Sequence, residues 1–318
     1  MKKILIFGGT GFVGTQVCEK LNQSSCRVTV ATRRREHARH LQLLPLVDVI
    51  EIDLNDSAAL AALVAGHDAV VNLIAILHGS EEAFQKVHVQ WPLTLIRACK
   101  AAGVRRVVHI SALGAAIDSA SKYQRSKARG EAALLGAGLD VTVLRPSVIF
   151  GAGDSFLNTF ANLQQVFPVI PLAGSDARFQ PVWVGDVASA VVRCLEDNTT
   201  DGQVYEACGP QVFTLKQLVQ LAGGYAGINH GQGRPVMGLP DALARIQAFF
   251  MELAPGDPML SRDNLDAMKT DNVATGKLPG LQALGITPAA LAAIAPTYLG
   301  ARGLRSGLMA KRKTAGRF

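Results

Sequence analysis

The sequence predicts an α/β protein: a doubly wound parallel sheet with a smaller substrate region interleaved towards the C-terminus. Three observations predict it. Short Val-, Ile- and Leu-rich runs alternate with helical stretches through the first half. A glycine-rich turn joins the first such run to the first helical stretch. The chain has 318 residues and is 49% apolar, which suffices to bury a large core on both faces of a sheet.

The elements follow in order. Residues 4–7 form an apolar run, 13–21 have helical spacing, and 27–31 and 47–52 read as the next two strands. An Ala/Leu helix covers 57–65 and a strand 69–71. The stretch 57–77 is apolar enough to raise a membrane span, but Gly66-His67-Asp68 reads as a turn inside it. One long helix is expected over 82–101, a strand over 105–110 closed by Ser111, a helix over 121–135 and a strand over 141–144. After Arg145-Pro146 the pattern loosens, with Gly151, Gly153, Pro168, Pro171 and Gly174 marking loops. A helix over 186–194 and a strand over 203–207 return to the sheet. Further helices are expected at 214–222, 239–253, 260–268 and 287–295.

Charge and cysteine usage exclude several classes. The net charge is +7, but Arg302, Arg305, Lys311, Arg312, Lys313 and Arg317 supply six of those charges. The body is nearly neutral, and aromatics are only 6%, so a nucleic-acid-binding face is not expected. The five cysteines (Cys18, Cys26, Cys99, Cys194, Cys208) are scattered without a C-x-x-C, and the histidines lack H-x-x-x-H spacing. A reduced compartment and no metal site are expected.

The glycine turn reads Gly8-Gly9-Thr10-Gly11-Phe12-Val13-Gly14. Gly8 permits the tight turn, Gly11 lets backbone approach a pyrophosphate, and Gly14 lets the helix pack closely on the sheet. The helix N-terminus adds N–H groups and a positive dipole end. An NAD site would place an acid after the second strand, to bond a ribose hydroxyl. Here stand Thr32-Arg33-Arg34-Arg35, whose guanidinium forks suit a 2′-phosphate, so NADP(H) is expected over NAD(H). Arg33 and Arg34 are the candidates; Arg35 reads as solvated loop. Asp53-Leu54 follows the third strand, and Asn72, Ile74 and Ala75 follow the fourth, where adenine, ribose and phosphates would lie.

Tyr123 and Lys127 share a helix face at i, i+4, and Ser111 closes a strand twelve residues earlier. Reduction of a carbonyl needs a proton donor, and a nearby ammonium should bring a phenol nearer working pH. Ser111 would bond the substrate oxygen; Tyr123 and Lys127 would also clamp a nicotinamide ribose. The bland reading is that these two residues only clamp the ribose.

Several stretches together carry a resemblance: GGTGFVG (8–14), HISALG (109–114), the Tyr123/Lys127 pair, LRPSVIFG (144–151) and PVWVGDVA (181–188). The chain resembles the short-chain dehydrogenase/reductase superfamily in its extended and atypical branches, the NAD-dependent epimerase/dehydratase family. KYQRSKARGE, FGAGDSFLNTFANL, FQPVWVGDVASAV and the stretch 244–272 are most similar to the nucleotide-binding accessory subunit of respiratory complex I and its bacterial relatives. The resemblance implies a Rossmann-like domain. Cofactor positions would be Gly8, Thr10, Gly11, Phe12, Arg33, Asp53, Leu54 and the stretch 146–150, with Pro146, Ser147 and Val148; Val13 and Gly14 complete the turn. The pattern along the chain gives residues 1–150 as the expected NADP-binding core, with 181–210 returning to it. Residues 151–300 would then supply mainly the substrate region, and 301–318 a disordered basic tail.

Two functions compete at this stage. One is an NADP-dependent oxidoreductase on a small-molecule carbonyl/alcohol pair, quinone- or isoprenoid-related, or a nucleotide-sugar epimerase or dehydratase. The other is an NADPH-holding accessory subunit or assembly factor of a membrane-associated respiratory complex, which the basic tail would suit. Unlike members with a degraded Ser/Tyr/Lys set, this chain keeps Ser111, Tyr123 and Lys127. Because the first strand begins at Met1, no mitochondrial presequence is expected, and the expected location is a bacterial cytoplasm, peripheral to the inner membrane in the second reading. Phe156, Phe160, Phe167, Phe249 and Phe250 read as core before they read as a lipophilic pocket.

Overall fold

The computed structural model describes residues 1–24, 26–253 and 258–300; the basic tail lies outside them. Six parallel strands come first: β1 (Lys2–Phe7), β2 (Cys26–Thr32), β3 (Val47–Glu51), β4 (Ala69–Asn72), β5 (Arg106–Ile110) and β6 (Asp140–Pro146). Later strands are β7 (Ile149–Phe150), β8 (Ile170–Leu172), β9 (Arg178–Phe179), β10 (Val182–Trp183), β11 (Val204–Ala207), β12 (Phe213–Thr214) and β13 (Val236–Gly238). The main sheet has seven strands in the order β11-β6-β5-β4-β1-β2-β3, all parallel. The strand order reverses between β1 and β4. Loops leaving these two strands diverge there and open a crevice at the carboxyl edge.

Burial explains why β1 reads as a continuous apolar run. Ile4, Leu5, Ile6 and Phe7 are all fully buried, because successive side chains enter opposite cores. Ile4 and Ile6 join Val17, Leu21, Val187 and Val191 under α1 (Phe12–Asn22) and α7 (Val184–Glu196). Leu5 and Phe7 join Leu60, Trp91, Leu95 and Leu134 under α2 (Ser57–Val64), α4 (Trp91–Ala102) and α5 (Lys122–Leu135). Each such side chain contributes about 1.5–3 kcal/mol when fully buried, so both faces hold the sheet.

The helix expected over 82–101 is not continuous. It consists of α3 (Glu81–Gln85), a π-helical turn (Lys86–Gln90) and α4. Pro92 supplies the reason: it has no N–H to return to the His88 carbonyl one turn back. That carbonyl faces α5 instead. A Cβ on Gly130 would lie 1.8 Å from it, so only glycine lets the two helices meet.

The C-terminal region adds α6 (Leu157–Val166), α8 (Leu215–Tyr225), α9 (Asp241–Glu252), α10 (Arg262–Ala267) and α11 (Leu291–Leu299). Leu157, Ala161, Leu218, Ala222, Leu291 and Ala295 form its core, with Phe156 and Phe160 packed against it. Phe167, Phe249 and Phe250, expected as core, are exposed; α9 turns only Ala244 and Ala248 inward. Among the described residues no helix is long and apolar enough to cross a membrane. The stretch 57–77 divides into α2, the turn and β4.

Candidate active site

The glycine turn is a backbone-on-backbone construction. Gly8 has a φ of +80°, and a Cβ there would sit 3.0 Å from the Leu73 backbone of the neighbouring loop. A Cβ on Gly14 would lie 2.4 Å from the Gly8 carbonyl oxygen and 2.5 Å from Gly9 Cα. Both glycines are therefore required by the fold. Gly11 is different: its φ is −81° and no neighbour comes nearer than 3.4 Å to the space a Cβ would fill. No side chain caps α1 there, and its first turn carries no acid. Open space and uncapped N–H groups fit a diphosphate. The Phe12 ring reaches across to Gly151, where a Cβ would approach within 3.3 Å, and so joins this turn to the end of β7.

At the end of β2 the side chains of Arg33 and Arg34 are exposed, and among the described residues neither is held in an ion pair. Arg33 lines an open cleft of about 450 Å³ with Glu51, Ile52 and Asp53. Glu51 accepts the Arg35 backbone N–H at 3.0 Å, and Asp53 accepts from Asn55. Half-buried Ile74 and exposed Ala75 follow the end of β4.

Two expected cofactor contacts have other work. Asn72 is fully buried; its Oδ1 accepts from Trp91 Nε1 at 3.0 Å and from the Ile74 N–H, and its Nδ2 lies 3.1 Å from His109 Nδ1. It shapes the loop from inside rather than touching the crevice. Ser147 is also buried. Its hydroxyl donates to Asn272 Oδ1 at 2.6 Å, and the Val148 N–H donates to the same oxygen at 3.1 Å. A burial-driven pairing with a distant residue has taken both side-chain positions.

The end of the crevice where Ser111, Tyr123 and Lys127 are expected is built on α5 and the end of β5. Ser121 caps α5 through the Gln124 N–H, placing Tyr123 in the first turn and Lys127 one turn on. Lys127 is buried, and its Nζ donates to the Ile110 carbonyl at 2.6 Å, which brings the ammonium beside Ser111. Ser111 is buried too, and its Oγ finds no partner among the described residues. An orphaned hydroxyl beside a buried ammonium suits a ligand oxygen.

The electrostatics correct one expectation. Burial pushes the Tyr123 phenol up to about 12, rather than the ammonium bringing it down. Burial also lowers Lys127 to about 8, against the pull of Glu131. Tyr123 is thus held protonated at neutral pH.

Five contributors were not named from motif or spacing. His88, on the π-turn, packs edge-on to the Tyr123 ring at 5.4 Å and stacks on Phe84. Ser126 Oγ donates to the Tyr123 carbonyl and lies 2.8 Å from His88 Nδ1, while the Ile76 N–H donates to His88 Nε2. Those partners describe a neutral ring carrying its proton on Nδ1. Burial, then Lys127, drives His88 down to about 3. Glu131, almost fully buried, holds Arg145 through both oxygens at 2.6–3.1 Å. Asp263 and Asn272 reach in from the C-terminal region. Only the quoted similarity of 244–272 hinted that this region matters.

The comparisons now decide the family. Residues 4–208 match the model of the NAD dependent epimerase/dehydratase family. The chain belongs to that family. It is 32% identical over 293 residues to the mouse mitochondrial NADH dehydrogenase [ubiquinone] 1 alpha subcomplex subunit 9, covering 90% of this chain and 76% of that protein. It is 30% identical to a Caulobacter vibrioides ceramide reductase, covering 59% of each. An Escherichia coli NADPH-dependent quinone oxidoreductase, solved with NADPH, superposes with a TM-score of 0.73 at 23% identity, over 91% of this chain and 97% of that one. That likeness shows the Rossmann-like fold of this family member. Among the described residues no group of three or more His, Cys, Asp or Glu side chains is arranged to hold a metal.

Proposed function

We propose that this epimerase/dehydratase-family protein is an NADP(H)-dependent oxidoreductase acting on a carbonyl/alcohol pair of a small molecule. The observation that carries the proposal is the unpartnered, buried Ser111 hydroxyl, one residue beyond the Ile110 carbonyl that holds the buried Lys127 ammonium. A ribose clamp would account for Lys127, but not for a buried serine hydroxyl left without a partner. A bound nicotinamide nucleotide would supply the hydride. Gly8, Thr10, Gly11, Phe12, Val13 and Gly14 would hold its diphosphate, and Arg33 with Arg34 would take the 2′-phosphate. Asp53, Leu54, Ile74, Ala75, Pro146 and Val148 would line the rest.

The protein's own part is proton and charge management. Ser111 Oγ donates a hydrogen bond to the substrate oxygen. Tyr123 delivers its hydroxyl proton to that oxygen, and the Lys127 ammonium stabilises the phenolate left behind. Residues 1–150 with 181–210 then serve as the nucleotide core and 151–300 mainly as the substrate region.

The similarity to complex I subunits favours a second reading, in which the same core holds NADPH within a respiratory assembly at a membrane surface. Nucleotide identification tests the cofactor choice that both readings share, and turnover lost in Tyr123→Phe with nucleotide still held tests the first against the second. Protein purified with its partners is denatured and the released nucleotide identified. NADP(H) is expected; NAD(H) alone would overturn the role given to Arg33.

A further inference from the structure

We propose that residues 261–272 form a strap from the C-terminal region that positions Tyr123, with Asp263 and Asn272 as its two anchoring residues. The proposal rests on the reading of Tyr123 as the proton donor, and adds what keeps that residue in place.

The first anchor grips the reactive helix. Asp263 Oδ1 accepts the Lys122 N–H at 2.6 Å, and Oδ2 accepts both the Ser121 hydroxyl at 2.8 Å and the Tyr123 N–H at 3.1 Å. These are the N–H groups an α-helix leaves unpaired at its start, and a carboxylate there also meets the positive end of the helix dipole. Tyr123's own N–H is therefore satisfied by a residue 140 positions away.

The second anchor grips the opposite wall. Asn272 Oδ1 accepts from the Ser147 hydroxyl and the Val148 N–H, and its Nδ2 donates to the Leu113 carbonyl at 3.4 Å. Its backbone N–H and carbonyl pair with Arg178 and Gln180. Between the anchors the strap is braced. Ser261 and Asn264 close a capping box at the start of α10. Arg262 pairs with Glu252 at 2.8 Å and lies over the Phe249 ring, and Asp266 pairs with Arg245 and Lys269. One short segment thus ties α9, the start of α5, and the ends of β5 and β6 to one another.

The charged and titratable groups facing this turn of α5 are His88, Lys127, Asp263, the Lys122–Glu81 pair, Glu82 and Glu252. Of these Asp263 and Glu252 come from outside the nucleotide core, and Glu252 is itself paired with Arg262 of the strap. Positioning by the strap should therefore be separable from the core's integrity.

The experiment uses the full chain without nucleotide or substrate. Amide hydrogen exchange is followed in the segment containing Lys122 and Tyr123. The Tyr123 phenol is titrated by ultraviolet difference absorbance between each protein and its Tyr123→Phe counterpart. In Asp263→Ala, exchange in that segment should quicken about tenfold, the loss of one good helix cap, and the phenol should titrate at lower pH as water reaches the ring. Asp263→Asn, which keeps one accepting oxygen, should recover part of both effects. Asn272→Ala should quicken exchange near Val148 and Leu113. Wild-type exchange and titration in folded Asp263→Ala overturn the proposal. Should that variant not fold, wild-type behaviour of Asp263→Asn overturns it equally. Neither readout needs turnover, so if Tyr123→Phe proves fully active, the reactive reading fails while the strap is judged on its own data.

Discussion

At the glycine-turn end of the crevice, Gly8, Gly11 and Gly14 lie within seven residues, and the tight contacts are between backbone atoms of one turn and its neighbour. At the reactive end, the turn carrying Tyr123 is held by Asp263, its ring by His88 on a π-turn, and the facing strand end by Asn272. The first end is specified locally by absent side chains. The second is assembled by side chains brought together over the whole chain. A nucleotide grip can thus persist while the chemistry beside it is tuned or lost, because different residues support the two.

The sharpest way to break the comparison is to remove chemistry from one end only. Tyr123→Phe deletes a hydroxyl that, among the described residues, forms no hydrogen bond. NADPH oxidation over a panel of quinones and ketones should fall by about 10²–10⁴-fold, the range for a lost general acid. Nucleotide affinity, measured by NADPH fluorescence, should change little. Equal losses in both would show that the two ends are one unit.

Next come two glycine variants that should cost similar stability but differ in what they spoil. Gly14→Ala drives a methyl into the Gly8–Gly9 backbone, and Gly130→Ala drives one into the His88 carbonyl. Each should destabilise by about 3 kcal/mol, the upper end of overpacking costs, because backbone has little room to yield. Urea unfolding measures this. In the surviving folded protein, Gly14→Ala should weaken NADPH binding, whereas Gly130→Ala should leave it and slow turnover. The reverse pattern would sink the division of labour.

Arg33→Ala sharpens the comparison within the nucleotide end. A charge-assisted bond to a 2′-phosphate contributes about 1.5–3 kcal/mol. Titration should show NADPH affinity dropping at least about tenfold, with NADH affinity unchanged. Equal effects on both nucleotides would reduce Arg33 to a surface charge.

This contrast also explains what was legible in the sequence. The strands of the main sheet are continuous apolar runs because both faces are buried, so Ile4–Phe7 or Val107–Val108 announce themselves. The glycine turn is equally legible, since positive φ and close approach leave only glycine. Tyr123, Lys127 and Ser111 could be named by spacing. Their environment could not, since the rise of the Tyr123 phenol follows from burial that no spacing reveals. The break at His88 follows from Pro92 together with Gly130, two residues whose meeting depends on helix packing. Asn72 reads as a cofactor contact from its strand end, and Ser147 from the resemblance of its stretch, yet Trp91, His109 and Asn272 claim their side chains.

The smallest expected effect concerns protons beneath the reactive end. His88 and His109 are buried neutral, His88 near 3 and His109 well below its usual range, in both cases mainly through burial. When folded-state values lie below unfolded ones, the unfolded chain takes up protons that the folded chain refuses. Stability is therefore full above about pH 6.5 and is lost as pH falls towards the folded values. From pH 6.5 to 5.5 each histidine should cost about 1 kcal/mol. The depressed carboxylates, such as Asp140 and Asp271, begin to matter only nearer pH 4, so this window belongs to the histidines. His88→Gln should flatten the urea-midpoint profile between pH 6.5 and 5.5 by about half. A flat wild-type profile, or an unchanged slope in His88→Gln, would place the acid sensitivity elsewhere than under Tyr123.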